Sequence, residues 1–132
     1  MSRLVIGLGF RDQATAQSIG GVLADVVAKA AISGGATALA VVEDKAMHPG
    51  LIVAAQAANL PIETIAAEAL RAADARVTTR SERVLRQRGV GSVCEAAALA
   101  VAGINARLIV TRMVSSDRNA TAAAALSENI MP

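Results

Sequence analysis

Three short apolar runs, each followed by a stretch with helical spacing, narrow the folds open to this chain. Leu4 to Leu8 is β-branched and apolar, the pattern of a strand buried on both faces. Beyond it, Ile19, Val22, Leu23, Val26, Val27 and Ala30 recur at i, i+3 and i+4, one face of a helix. Asp12 or Thr15 can cap its start, and Ser33-Gly34-Gly35 can stop it. Ala38 to Val42 predicts a second strand, and Pro49 suits the first position of a helix ending at Ala58–Asn59. Pro61 to Ile65 predicts a third strand, with a short helix over about Ala67 to Ala73. This alternation makes the chain α/β.

The second half is less regular. Asp74 to Arg80 is polar and predicts a loop. Thr79 with Glu82, and Ser92 with Glu95, each fit a capping box. Between them a short helix carries Arg80, Arg83 and Arg86 at three-residue spacing, ended by Gly89. The helix after Ser92 is nearly all Ala, Val and Leu and should be buried, with Gly103 at its end. Arg107 to Thr111 predicts a strand. Ala120 to Leu126 fits either a strand or a helix, because alanine favours the helix and nothing else in the segment decides.

The 132 residues are one domain's worth of sequence, without an internal repeat or linker, so a single domain over 1–132 is expected. No apolar stretch is long enough to span a bilayer, and Met1 to Gly9 lacks the features of a signal peptide, so no membrane association and a cytoplasmic location are expected. Cys94 is the single cysteine, which excludes an internal disulfide. Phe10 is the single aromatic residue and the net charge is only +2, so stacking on nucleic acid bases and binding a polyanion are both disfavoured. Apart from Lys29 and Lys45 the cationic side chains are all arginine, whose planar fork suits carboxylate or phosphate. Small acidic ligands fit this balance.

Three constellations invite a chemical reading. The Gly7-x-Gly9 turn resembles the start of a dinucleotide fingerprint, but Asp12 stands where the third glycine belongs and would repel a pyrophosphate. The turn is therefore either a tight connection only, or a carboxylate site built from exposed N–H groups and Arg11. "VVEDKAMHPGL", Val41 to Leu51, leaves a strand end carrying Glu43, Asp44, Lys45 and His48, where an open α/β sheet places its ligand crevice. Its spacing matches no standard metal site, so no metal and no cofactor are expected. Cys94 beside Ser92 reads as a buried helix residue, and the Arg80–Arg88 stretch as a solvated helix face.

"GLGFR" after a first strand, "EDKAMHPGL" after a second, then "NLPIETIAAEAL", "SERVLRQRGVGSVCEAAAL" and "LIVTR...NATAAAA" together resemble the CobE/CbiG C-terminal family of cobalamin biosynthesis. The resemblance runs from about Val5 to Ala125. It implies a compact α/β domain with a mixed, mostly parallel sheet flanked by helices, and so implies that Ala120 to Ala125 is strand. Gly91, Ser92, Val93, Glu95 and Ala96 match the family's late glycine–serine–glutamate motif, and Lys45, Pro49 and Gly50 match its second motif. Phe10, His48 and Arg112 depart from it: the family has a cysteine, an acid and a lysine in those places. The family occurs as the rear half of a cobalt-precorrin 5A hydrolase, which opens a lactone and releases acetaldehyde, and as a stand-alone form, which a chain of this length resembles.

The expected function is a cobalamin biosynthesis protein that binds a polycarboxylate precorrin intermediate, for transfer or for a partner enzyme. The expected ligand-binding residues are Gly7, Gly9, Phe10, Arg11, Asp44, Lys45, His48, Gly91, Ser92, Glu95 and Arg112. The competing expectations are a precorrin lactone hydrolase, with water activated by His48, Asp44 or Glu95, and a subunit that docks on another cobalamin-biosynthesis protein through Arg80–Arg88.

Overall fold

The computed structural model describes residues 2–31, 35–88 and 90–128. Five strands form one sheet: β1 (Ser2–Phe10), β2 (Ala38–Val42), β3 (Ile62–Ile65), β4 (Arg107–Val114) and β5 (Ala120–Glu128), in the order β3-β2-β1-β5-β4. β1 pairs in parallel with β2, and β2 with β3, while β5 runs antiparallel to both β1 and β4. Four strands thus point one way and β5 alone opposes them. The helices are α1 (Ala16–Ala30), α2 (Pro49–Ala58), α3 (Ala67–Ala72), α4 (Glu82–Arg88) and α5 (Val93–Ala102).

The side-chain alternation of β1 sorts these helices into two layers. Leu4, Ile6 and Leu8 face α1 and α2, packing with Ile19, Val22, Leu23, Val26 and Leu51. Val5 faces the other way, into a cluster with Leu70, Ala96, Ala97, Ala98 and Leu99 of α3 and α5. Gly7 shares that second face, and it decides how closely α5 can lie. A Cβ built on Gly7 would sit 1.9 Å from the carbonyl oxygen of Cys94. The glycine is therefore the gap into which the α5 backbone fits.

This corrects the reading of Gly7-x-Gly9 as a turn. β1 continues through both glycines to Phe10, paired throughout with β5, from Ser2 opposite Glu128 to Phe10 opposite Ala120. Gly7 and Gly9 do not form a turn with N–H groups free for an anion. The helix start comes later, where the Thr15 side chain accepts the Ser18 N–H at 3.0 Å.

Ala120 to Leu126 is strand, lying against α1 on one face and α5 on the other. Ala122 to Ala125 are fully buried, so the small side chains meet the need to fit between two helix layers, and tertiary packing overrides alanine's helix preference. α1 ends at Ala31 in the left-handed region; of the expected stop, Ser33 and Gly34 lie outside the described residues, as does Gly89 after α4. Asn59 and Gly103 end α2 and α5 as expected.

Candidate functional site

A cleft of about 410 Å³ opens at the end of the sheet where β1 and β2 finish, between the loop after β1, the β4–β5 hairpin and α4. Phe10, Val42, Val84 and Val93 supply its apolar lining. Among the described residues six basic side chains line it, Arg11, Lys45, Arg83, Arg88, Arg112 and Arg118, against one acid, Asp12. Arg11, Arg83, Arg112 and Arg118 form no salt bridge with a carboxylate among the described residues. Lys45 pairs with Asp12 at 2.5 Å and Arg88 with Asp44 at 2.9 Å.

Local capping and turn chemistry hold these groups in place. The hairpin carries Arg118 in the left-handed region, φ 65°, and closes with Ser115 N–H on the Ala120 carbonyl at 2.8 Å. Asp117 anchors it: Ser115 Oγ donates to the carboxylate at 2.6 Å, the Ser18 hydroxyl donates from α1, and Asn119 N–H donates at 3.0 Å. Those bonds stabilise the ionised form and pull the Asp117 carboxyl down to about 2. Across the cleft, the Arg11 N–H donates to the Asn119 carbonyl at 2.9 Å, joining the two rims.

Glu95 is the internal brace of the site. It is fully buried, and its carboxylate accepts the N–H groups of Thr78 (2.8 Å), Thr79 (2.9 Å) and Arg112 (2.8 Å) and the Thr79 hydroxyl (2.6 Å). Burial pushes its carboxyl up, but these donors together outweigh burial and leave it below the usual range. One carboxylate thus joins α5, the segment leading into α4, and β4.

Of the expected ligand-binding residues, the fold brings Phe10, Arg11, Lys45 and Arg112 to the cleft. Asp44 stands beside it, occupied by Arg88. His48 packs its ring edge on Phe10, with centroids 4.9 Å apart, and both ring nitrogens are engaged. Nδ1 accepts the Gly50 N–H at 3.1 Å, capping α2, and Nε2 lies 2.7 Å from the Asp12 carbonyl oxygen, which fixes the proton on Nε2.

The other expected residues do not line the cleft. Gly7 receives α5, and Gly9 sits in the β1–β5 ladder, its carbonyl accepting the Thr121 hydroxyl at 3.2 Å. Gly91 and Ser92 are buried behind the cleft. The Gly91 N–H donates to Asp74 at 2.8 Å, and with Arg80 it lowers the Asp74 carboxyl. Ser92 caps α5 through the Glu95 N–H at 3.4 Å, but the reciprocal half of that capping box is missing because the Glu95 side chain turns to the brace. The Thr79–Glu82 box is likewise absent: the Thr79 hydroxyl belongs to Glu95, and Ser81 Oγ accepts the Val84 N–H at 3.5 Å near the start of α4.

Sequence reasoning did not assign Arg83, Arg88 and Arg118 to the cleft, although it offered Arg80–Arg88 as a surface for a partner protein. The first two lie on the helix read as solvated, and their three- to five-residue spacing was the available signal. Arg118 sits in a hairpin, where no periodicity marks it.

The family described as cobalamin synthesis G C-terminus matches residues 4–125. The chain belongs to that family. It is 35% identical over 123 residues to Protein CobE of a Sinorhizobium species, a match covering 92% of this chain and 79% of that protein. It is similar in structure to the crystal structure of CobE, a protein from the cobalamin (vitamin B12) biosynthetic pathway. There the TM-score is 0.86 at 29% identity, covering 98% of this chain and 94% of the other. A second similar structure is the cobalamin biosynthesis protein chiG from Agrobacterium tumefaciens, with a TM-score of 0.72 at 36% identity, covering 96% and 99% of the two chains. This family member is thus a protein of cobalamin biosynthesis, and its mixed sheet is the sheet that membership implies.

Proposed function

We propose that this family member binds a polycarboxylate precorrin intermediate in the basic cleft and holds it for transfer or for a partner enzyme of the pathway. The observation that carries the reading is the cluster of six basic side chains against one acid, set over apolar side chains. Corrinoid precursors carry acetate and propionate arms around a broad apolar ring, and arginine forks at the rim suit such arms. The valines and Phe10 suit the ring edge.

Binding fits the geometry better than lactone hydrolysis. Of the three groups that could activate water, His48 is committed to Gly50 and Asp12 and Glu95 to five donors, while Asp44, paired with Arg88, does not line the cleft. A general base needs a free acceptor within reach of the water it deprotonates.

The test is to incubate the purified protein with precorrin intermediates and follow co-elution and mass. Retained pigment of unchanged mass supports binding. Loss of a two-carbon fragment makes the protein a hydrolase, and pigment that elutes separately at unchanged mass removes the reading.

A further inference from the structure

Asp12 occupies the place where a ligand carboxylate would be expected. Its side chain is 93% exposed, whereas Lys45, which reaches it at 2.5 Å, is only 18% exposed and lies 5.6 Å from the centre of the Phe10 ring. The backbone around Asp12 is tied down: its carbonyl meets His48 Nε2, and the neighbouring Arg11 N–H meets Asn119. Its carboxylate is not; Lys45 is its one salt-bridge partner among the described residues. A sheltered ammonium facing a basic cleft is thus neutralised by a carboxylate that can rotate away into solvent.

We propose that Lys45 is a carboxylate subsite whose resident occupant is the chain's own Asp12, and that an arm of the ligand binds by displacing it. This rests on the reading of the cleft as a polycarboxylate site. The Lys45 ammonium, through its hydrogen bond and its charge, holds the Asp12 carboxyl below its usual range, so the occupant stays ionised and competes throughout the neutral pH range. Exposed ion pairs are weak, so a ligand carboxylate that also engages the neighbouring arginines displaces Asp12. A ligand with no carboxylate at that position leaves the pair intact and draws nothing from Lys45. Asp12 is thereby a specificity-determining residue.

The experiment titrates uroporphyrin III, an octacarboxylate tetrapyrrole, against the full chain by porphyrin fluorescence, in a double-mutant cycle of Asp12→Asn and Lys45→Met. Asp12→Asn should bind about two- to fivefold tighter than wild type, the range set by releasing an exposed ion pair. Lys45→Met should bind more weakly, and adding Asp12→Asn to it should bring no gain. An equal gain in both backgrounds makes Asp12 only a general negative charge and overturns the proposal. No gain from Asp12→Asn, or no loss from Lys45→Met, while the wild type binds, overturns it and leaves the cleft reading standing. Failure of the wild type to bind overturns both. Melting temperatures of the variants, with Asp12→Ala as a second probe, separate a binding effect from a folding defect.

Discussion

Glu95 in the first turn of α5 accepts the backbone N–H of Arg112 on β4 at 2.8 Å, so a buried carboxylate fixes the strand that bears a cleft arginine. Glu95→Gln replaces one acceptor oxygen with an NH2 group facing buried donors, each of which costs about 1–3 kcal/mol when left unpaired. The variant should melt well below wild type. Its pH response should also flatten. The folded-state value of Glu95 is lowered, so its contribution is complete above the unfolded value, about 4.3, and is lost as pH falls below that toward the folded value. Wild type minus Glu95→Gln stability, followed by denaturant titration from pH 7 to pH 3, should shrink in acid. A difference that stays constant across that range contradicts an ionised brace.

Gly7 and Gly9 should differ sharply when each is changed to alanine. At Gly7 the new Cβ meets the Cys94 carbonyl at 1.9 Å and Ala98 N at 2.7 Å, both backbone atoms of α5. Overpacking of this kind costs about 1–3 kcal/mol and more when backbone must move. At Gly9 the nearest atom is Thr121 Oγ1 at 2.9 Å, a side chain that can rotate. Thermal melts should rank Gly7→Ala well below Gly9→Ala. Equal losses would mean that close approach of α5 is not what Gly7 provides.

Charge in the cleft should matter by position. Arg83→Ala and Arg118→Ala should each weaken uroporphyrin III binding about three- to tenfold, the loss growing at low salt because the contacts are partly exposed. Arg86→Ala, on the same short helix but outside the cleft lining, should leave affinity unchanged. An equal effect at Arg83 and Arg86 would point to diffuse attraction by the helix.

The two helix caps should behave as caps. Ser92→Ala removes the acceptor of the Glu95 N–H and should cost about 1 kcal/mol, with ligand affinity unchanged well below the melt. His48→Ala should cost a similar amount through the Gly50 cap, and His48→Asn should recover most of it, because asparagine is a preferred N-cap residue. A collapse of affinity in Ser92→Ala with an unmoved melt would assign Ser92 to the site instead.

Local signals were reliable wherever a residue's role depends on its chain neighbours. The bounds of β2 and α2, the Pro49 start, the Asn59 and Gly103 stops and the Ser92 cap could all be read directly, since each depends on spacing or on a single backbone bond. Arg11 and Lys45 were legible as cleft residues because strand ends in an α/β sheet converge on one edge, whereas Phe10 and Arg112 were marked only by the family resemblance.

What tertiary structure alone decided is which partner each group meets across the chain. Glu95 reads as half of a capping box until the segment at Thr78–Thr79 and β4 arrive to claim its oxygens. Gly7 reads as a turn until α5 presses on it, and the alanines of β5 read as strand or helix until two helix layers enclose them. Arg83 and Arg118 stand 35 residues apart in sequence and line one cleft only because the β4–β5 hairpin and α4 meet there. Periodicity and capping act over a few residues, where the chain's own geometry settles them. Long-range packing and the pairing of buried charge are settled by the free energy of the whole assembled fold.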